Sequence, residues 1–177
     1  MTDEQRKRME ELRWMHERNT KKLQLEKNLS ELLPQGTFSF LSYQDSDHIQ
    51  LSGHDWPHDK WENKLYIQTP IEDKLTIATL IQRFIQINLK NVTLIFFMRF
   101  NFGFISVENE QFSNHWAEFI KLDGDEIFCY LPDRPEFICV EKTEELISGR
   151  ENEGMRWIYE VTFSCHQFKD ELLSNGT

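Results

Sequence analysis

Glycine and proline are scarce, seven and five in 177 residues. That argues against a disordered, low-complexity body. Cysteine is scarcer still: Cys129, Cys139 and Cys165 are odd in number and show no CxxC spacing. A disulfide framework is therefore not expected, and the three thiols read as reduced, mostly buried residues in strands. No apolar run approaches the roughly 20 residues that a membrane span needs. The start, Met1-Thr2-Asp3-Glu4-Gln5-Arg6, is charged and lacks the apolar stretch of a secretory signal. The expectation is an intracellular, cytoplasmic protein without a membrane partner.

Chemical motifs are equally thin. There is no HExxH pair, and the glycines are isolated, as turns require and phosphate loops do not. Cys165-His166 are neighbours; if the strand read there continues through both, they point to opposite faces and cannot form a nucleophile–base pair. The reading leans away from an enzyme, and no cofactor is implied. Positive charge is also short, 20 Lys and Arg against 30 Asp and Glu, for a net −10. Residues 1–30 hold eight basic and six acidic residues, whereas residues 31–177 hold twelve and twenty-four. Such a body repels nucleic acid and steers toward a basic protein.

Aromatics are abundant: 14 Phe, 5 Trp and 4 Tyr. They supply large buried areas per residue, enough to give a chain of this length a substantial core. The strongest pattern lies at 69–107. Thr69-Pro70-Ile71-Glu72 reads as a helix start, with Thr69 as the cap. Ile77, Leu80, Ile81, Phe84 and Ile85 then recur at helical spacing. Val92–Met98 follows as a β-branched and aromatic run suited to a strand buried on both faces.

Upstream, residues 3–33 hold helix formers without Gly or Pro until Pro34, which predicts a long charged N-terminal helix docked by its leucine-rich end. Thr37–Tyr43 and His48–Leu51 read as a hairpin around Gln44–Asp47. Downstream, Trp116–Leu122 and Glu126–Leu131 flank Asp123-Gly124-Asp125, the composition of a tight hairpin. Glu136–Val140 reads as a strand, 141–154 as an exposed connection, and Met155–Cys165 as an amphipathic strand. A short final helix begins near His166.

The expected fold class is α+β: an antiparallel sheet of about five to seven strands, covered on one face by helices. Residues 1–34 form a helical arm and 35–177 the α+β domain, within one globular unit.

Two functional readings follow. From Glu108 to Glu160 there are fourteen acidic residues and five basic ones. Asp123, Asp125, Glu126, Glu144 and Glu145 would then face solvent, with Trp56 and Trp61 as aromatic anchors for a basic protein partner. In size and charge this is the character of an inhibitor or immunity-type protein that neutralises a nuclease toxin. The helical arm offers a route to a homodimer. The alternative is a small metal-dependent enzyme or ligand-binding protein built on loop 45–59. That loop places three His and four Asp in fifteen residues. His54, His58 and Asp59 would hold Zn²⁺ or Mn²⁺.

Overall fold

The computed structural model describes residues 2–51, 65–100, 102–147 and 154–174. Its seven strands make a single antiparallel sheet in the order β1-β4-β3-β5-β6-β7-β2. They are β1 (Phe38–Phe40), β2 (Tyr66–Pro70), β3 (Val92–Phe96), β4 (Phe104–Glu108), β5 (Glu126–Tyr130), β6 (Phe137–Ile147) and β7 (Gly154–Phe163). The helices are α1 (Asp3–Leu32), α2 (Tyr43–Leu51), α3 (Lys74–Gln86), α4 (Asn109–Asp123) and α5 (His166–Ser174). The class is α+β, with α1, α3, α4 and α5 contributing to one continuous core on one face.

Side-chain alternation assigns the two faces. Ile95, Phe97, Ile105, Val107, Ile127, Cys129, Ile138, Val140, Val161 and Phe163 point toward the helices and are buried. Helix α3 brings Ile77, Leu80, Ile81 and Phe84, the spacing its sequence announced. Leu94, Phe96, Phe104, Phe128 and Cys139 form a smaller cluster on the reverse, where Ile49 of α2 packs. That second cluster is why β3 is buried on both faces from Thr93 to Phe96.

Four local expectations are corrected. The hairpin at 37–51 is a strand followed by helix α2, because Ser42 caps it. Asp45 N–H donates to Ser42 Oγ at 3.1 Å, and Ser42 Oγ donates to the Asp45 carboxylate at 2.6 Å. The hairpin around Gly124 is a helix end: Trp116–Leu122 belongs to α4, and Gly124 at φ 87° is its left-handed C-cap. The same positive φ serves both structures, but Phe112, Trp116, Phe119, Ile120 and Asp123 bury themselves at helical spacing. The start of α3 lies four residues later than expected. Thr69 and Pro70 end β2, and Asp73 caps the helix by accepting from Thr76 N–H at 3.2 Å. Finally, 141–147 is no loose connection but the second half of β6.

Helix α1 spans 30 residues, about 45 Å at the α-helical rise. Its C-terminal half docks through Leu25 and Leu29, with Leu33 just beyond, whereas residues 3–17 are exposed throughout. Pro34 ends it by disfavouring helical geometry at Leu33. The hinge between exposed and docked halves is Arg18. Its guanidinium donates to both Asp47 carboxylate oxygens, at 2.7 and 3.2 Å, and to the Phe102 carbonyl. It lies 4.7 Å from the Trp14 ring centroid and 4.3 Å from that of Tyr43. One buried cation thus joins α1, α2 and the β3–β4 connection. In that connection Gly103 takes φ +146°, and a Cβ there would stand 2.5 Å from Ser46 Oγ. Ser46 is held close because its hydroxyl accepts from Phe104 N–H at 3.0 Å.

Candidate functional site

Strands β6 and β7 are the two longest, and they outrun their neighbours. Pairing of β5 with β6 ends at Glu126 opposite Glu141, and pairing of β2 with β7 ends at Pro70 opposite Ile158. Beyond those points β6 and β7 continue with each other, Glu144 opposite Trp157 and Leu146 opposite Met155, with Lys142 opposite Tyr159 just inside. These three pairs stand on the helix side, continuing the row of Val140 and Val161.

The helical cover stops part-way along that row. Trp116 of α4 packs edge-on against Tyr159 with ring centroids 5.3 Å apart. The next positions are open to solvent, Trp157 at 42 %, Met155 at 56 % and Leu146 at 59 %. An aromatic, a thioether and a leucine therefore share one exposed patch. Such clustering marks interaction surfaces, whereas single exposed apolar residues do not. Lys142 Nζ lies 4.1 Å from the Trp157 ring centroid and 3.6 Å from the Asp125 carboxylate. Glu144 stands exposed beside Trp157, so the patch has an acidic rim. On the reverse of the ribbon Arg156 reaches the Glu145 carboxylate at 2.6 and 2.7 Å.

The predicted acidic residues divide among these surroundings. Asp125 and Glu144 lie with the patch. Glu145 sits on the opposite side against Arg156. Glu126 also faces the reverse, in one row with Glu141, Glu160 and Gln68, where Gln68 Nε2 donates to Glu160 at 3.1 Å. Asp123 is not a surface group at all. It is buried at the end of α4, and its two carboxylate oxygens accept from Met98 N–H and Arg99 N–H, each at 2.7 Å. Burial pushes its carboxyl up to about 7, with Glu126 adding to the rise and the two backbone donors opposing it.

Trp56, Trp61, His54, His58 and Asp59 lie outside the described residues. Of the same loop, Asp45 and Asp47 are described in α2, where they cap the helix and pair with Arg18. Among the described residues no group of three His, Cys, Asp or Glu is placed to hold a metal ion. Two of the thiols, Cys129 and Cys139, are buried as expected; Cys165 is exposed. Burial holds the Cys129 thiol well above its ordinary range, which keeps it protonated and unreactive. Cys165 and His166 do not share a strand, because β7 ends at Phe163 and α5 begins at His166.

Sequence reasoning missed Arg18, which it placed in a solvated helix, and Leu146, which it placed in a loop. It read Met155 and Trp157 as part of one amphipathic strand but did not show that they lie past its cover. Alternation tells which side a residue takes; it does not tell where the covering helix stops.

None of the described helices is long and apolar enough to cross a membrane. No family model, curated protein or solved structure matches this chain.

Proposed function

We propose that this chain is an acidic protein-binding module that captures a basic partner through the open end of the β6–β7 ribbon. What carries the reading is the patch of Trp157, Met155 and Leu146 at the end of a two-stranded extension, with Glu144 and the Asp125–Lys142 pair at its rim. Aromatic anchors of this kind dominate binding energy once desolvated. The surrounding charge acts earlier, by steering the encounter with a partner of opposite sign. An inhibitor or immunity-type protein acting on a basic nuclease toxin fits both requirements, since it works by covering its target and needs no chemistry of its own.

The test uses the partner captured from the source cells and identified by mass spectrometry. Its association rate should fall severalfold as ionic strength rises from about 50 mM to about 500 mM, where screening shortens to a few ångströms. Replacing Trp157 by Ala should weaken the complex at least tenfold, mainly through faster dissociation. An association rate indifferent to salt, together with full affinity in the Trp157→Ala variant, would remove the ribbon from the interface.

A further inference from the structure

The β6–β7 ribbon has two outer edges, and they are not equally open. Ser164 N–H donates to the Phe137 carbonyl at 3.1 Å, so the odd-numbered residues of β6 turn their backbone groups toward β7. Lys142 N–H donates the other way, to the Asp125 carbonyl at 2.6 Å. By the two-residue period of an antiparallel ladder, the N–H and C=O groups of Glu144 and Leu146 also point to the β5 side. No described residue pairs with them there. Gly124 and Asp125, each at φ 87°, make the turn out of α4, so the chain joins the line of β5 only at Glu126. Along β7 the open edge is shorter: Ile71 N–H still donates to the Trp157 carbonyl at 3.2 Å, which leaves Met155.

The β6 edge carries its own chemistry. Asp125, Glu126, Glu141, Glu144 and Glu145 flank it against two cations, and both cations are engaged, Lys142 with Asp125 and Arg156 with Glu145. Glu144 is exposed and has no ion-pair partner among the described residues. Leu146, next to it on the helix side, is exposed as well. An edge lined by one sign of charge resists pairing with its own kind. A second copy of β6 would bring Glu144 and Glu145 against the same carboxylates, whereas a basic strand meets no such obstacle.

Resting on the reading of this ribbon as the site that captures a basic partner, we propose that the partner docks by adding a strand to the outer edge of β6, antiparallel to it and in line with β5. The slot lies beside residues 143–147, about 16 Å at the rise of a strand. The outward backbone groups of Glu144 and Leu146 supply the ladder. In an antiparallel pair, the two partner residues bonded to them project to the same side of the sheet, directly beside them. The residue beside Glu144 is therefore lysine or arginine and the residue beside Leu146 is apolar, with one residue between them turned to the reverse. Because the strands run in opposite directions, the apolar residue comes first in the partner and the basic one second. Local charge and strand direction together define what this edge reads.

The probe is an end-capped pentapeptide, threonine–valine–threonine–lysine–threonine, titrated to millimolar concentration into the full chain while amide exchange is followed by NMR. Exchange at Glu144 and Leu146 should slow severalfold, and more than at Thr143 and Glu145, whose N–H groups already face β7. The isomer with valine and lysine interchanged should bind about threefold more weakly, although its charge is the same. Glutamine in place of the lysine should cost about threefold on wild type and nothing on Glu144→Gln, as a cross-strand pair of opposite charges requires. The proposal is overturned if the peptide does not bind, if the slowing does not alternate along 143–146, if the two isomers bind alike, or if the lysine counts equally on Glu144→Gln. With the captured partner, Glu144→Pro removes an outward donor and no bond to β7, and should weaken the complex well beyond Glu144→Ala. Equal losses from those two, with Trp157→Ala still weakening the complex, would overturn the added strand and leave the patch as the binding site. Full affinity in Trp157→Ala with a salt-indifferent association rate would remove both. Concentration-dependent slowing at Glu144 and Leu146 without peptide would assign the edge to a second copy instead.

Discussion

Arg18 shows how one side chain can fix the placement of a long helix. It is buried to 4 % exposure, and a buried cation is tolerated only when its donors are satisfied. Here both Asp47 oxygens and the Phe102 carbonyl accept from it, and two aromatic rings cover the planar guanidinium. The Arg18→Ala variant should lose roughly 1–3 kcal/mol in urea unfolding, because the buried Phe102 carbonyl loses its donor while the half-exposed Asp47 is taken up by water. Arg18→Lys should also be destabilised, since an ammonium lacks the fork that meets both oxygens. A loss below about 0.5 kcal/mol for both would mean that Arg18 does not clamp the helix.

At the same scale, Asp123 gives the fold a pH signature of its own. Its folded-state value of about 7 lies above the ordinary 3.8, so the folded chain holds the proton more tightly than the unfolded one. Stability from this group is fully present below about pH 4 and is lost as pH rises toward about 7. Asp73 and Glu171 act in the opposite sense. Hydrogen bonds hold both carboxyls below their usual values, so their contributions are lost as pH falls. The stability difference between wild type and Asp123→Asn should therefore decline from about pH 5 to about pH 8. Denaturation midpoints measured across that range check the sign, and a rising difference would contradict it.

At the scale of elements, α3 was the most legible part of the chain, because its buried face repeats at helical spacing without interruption. Phe84 is fully buried and meets Phe168 of α5 edge-on at 6.2 Å. Phe84→Ala should cost roughly 3–5 kcal/mol in chemical denaturation; a cost under about 1 kcal/mol would mean that the cavity closes without penalty. Strands β3, β5 and β7 were legible for the same reason, as runs or alternations of β-branched and aromatic residues. Helix α4 was misread because Asp-Gly is common to hairpins and helix ends, and the turn was weighed above the spacing of Phe112, Trp116, Phe119 and Ile120. The outer half of β6 was hidden by its composition. Glu141, Glu144 and Glu145 are poor strand formers, and their strand exists because β7 pairs with it residue by residue. Of the expected site residues that the structure describes, Asp125 and Glu144 reach the patch; pairwise contacts such as Asp123 with the Met98 and Arg99 amides leave no trace in a linear pattern.

At the scale of the molecule, the sheet is finished differently at its parts. The helices close one face over a phenylalanine-rich core, α2 covers a smaller cluster behind it, and the β6–β7 ribbon runs out past both. Net charge of −10 sets the long-range field, while Trp157, Met155 and Leu146 set where close contact is favourable. Function on this account resides in a surface whose position is dictated by strand length. Amide hydrogen exchange on the chain alone and on the chain saturated with its captured partner tests that most directly. The account predicts slowing concentrated at residues 144–146 and 155–157. Slowing confined to other segments, with those six amides unchanged, would contradict it.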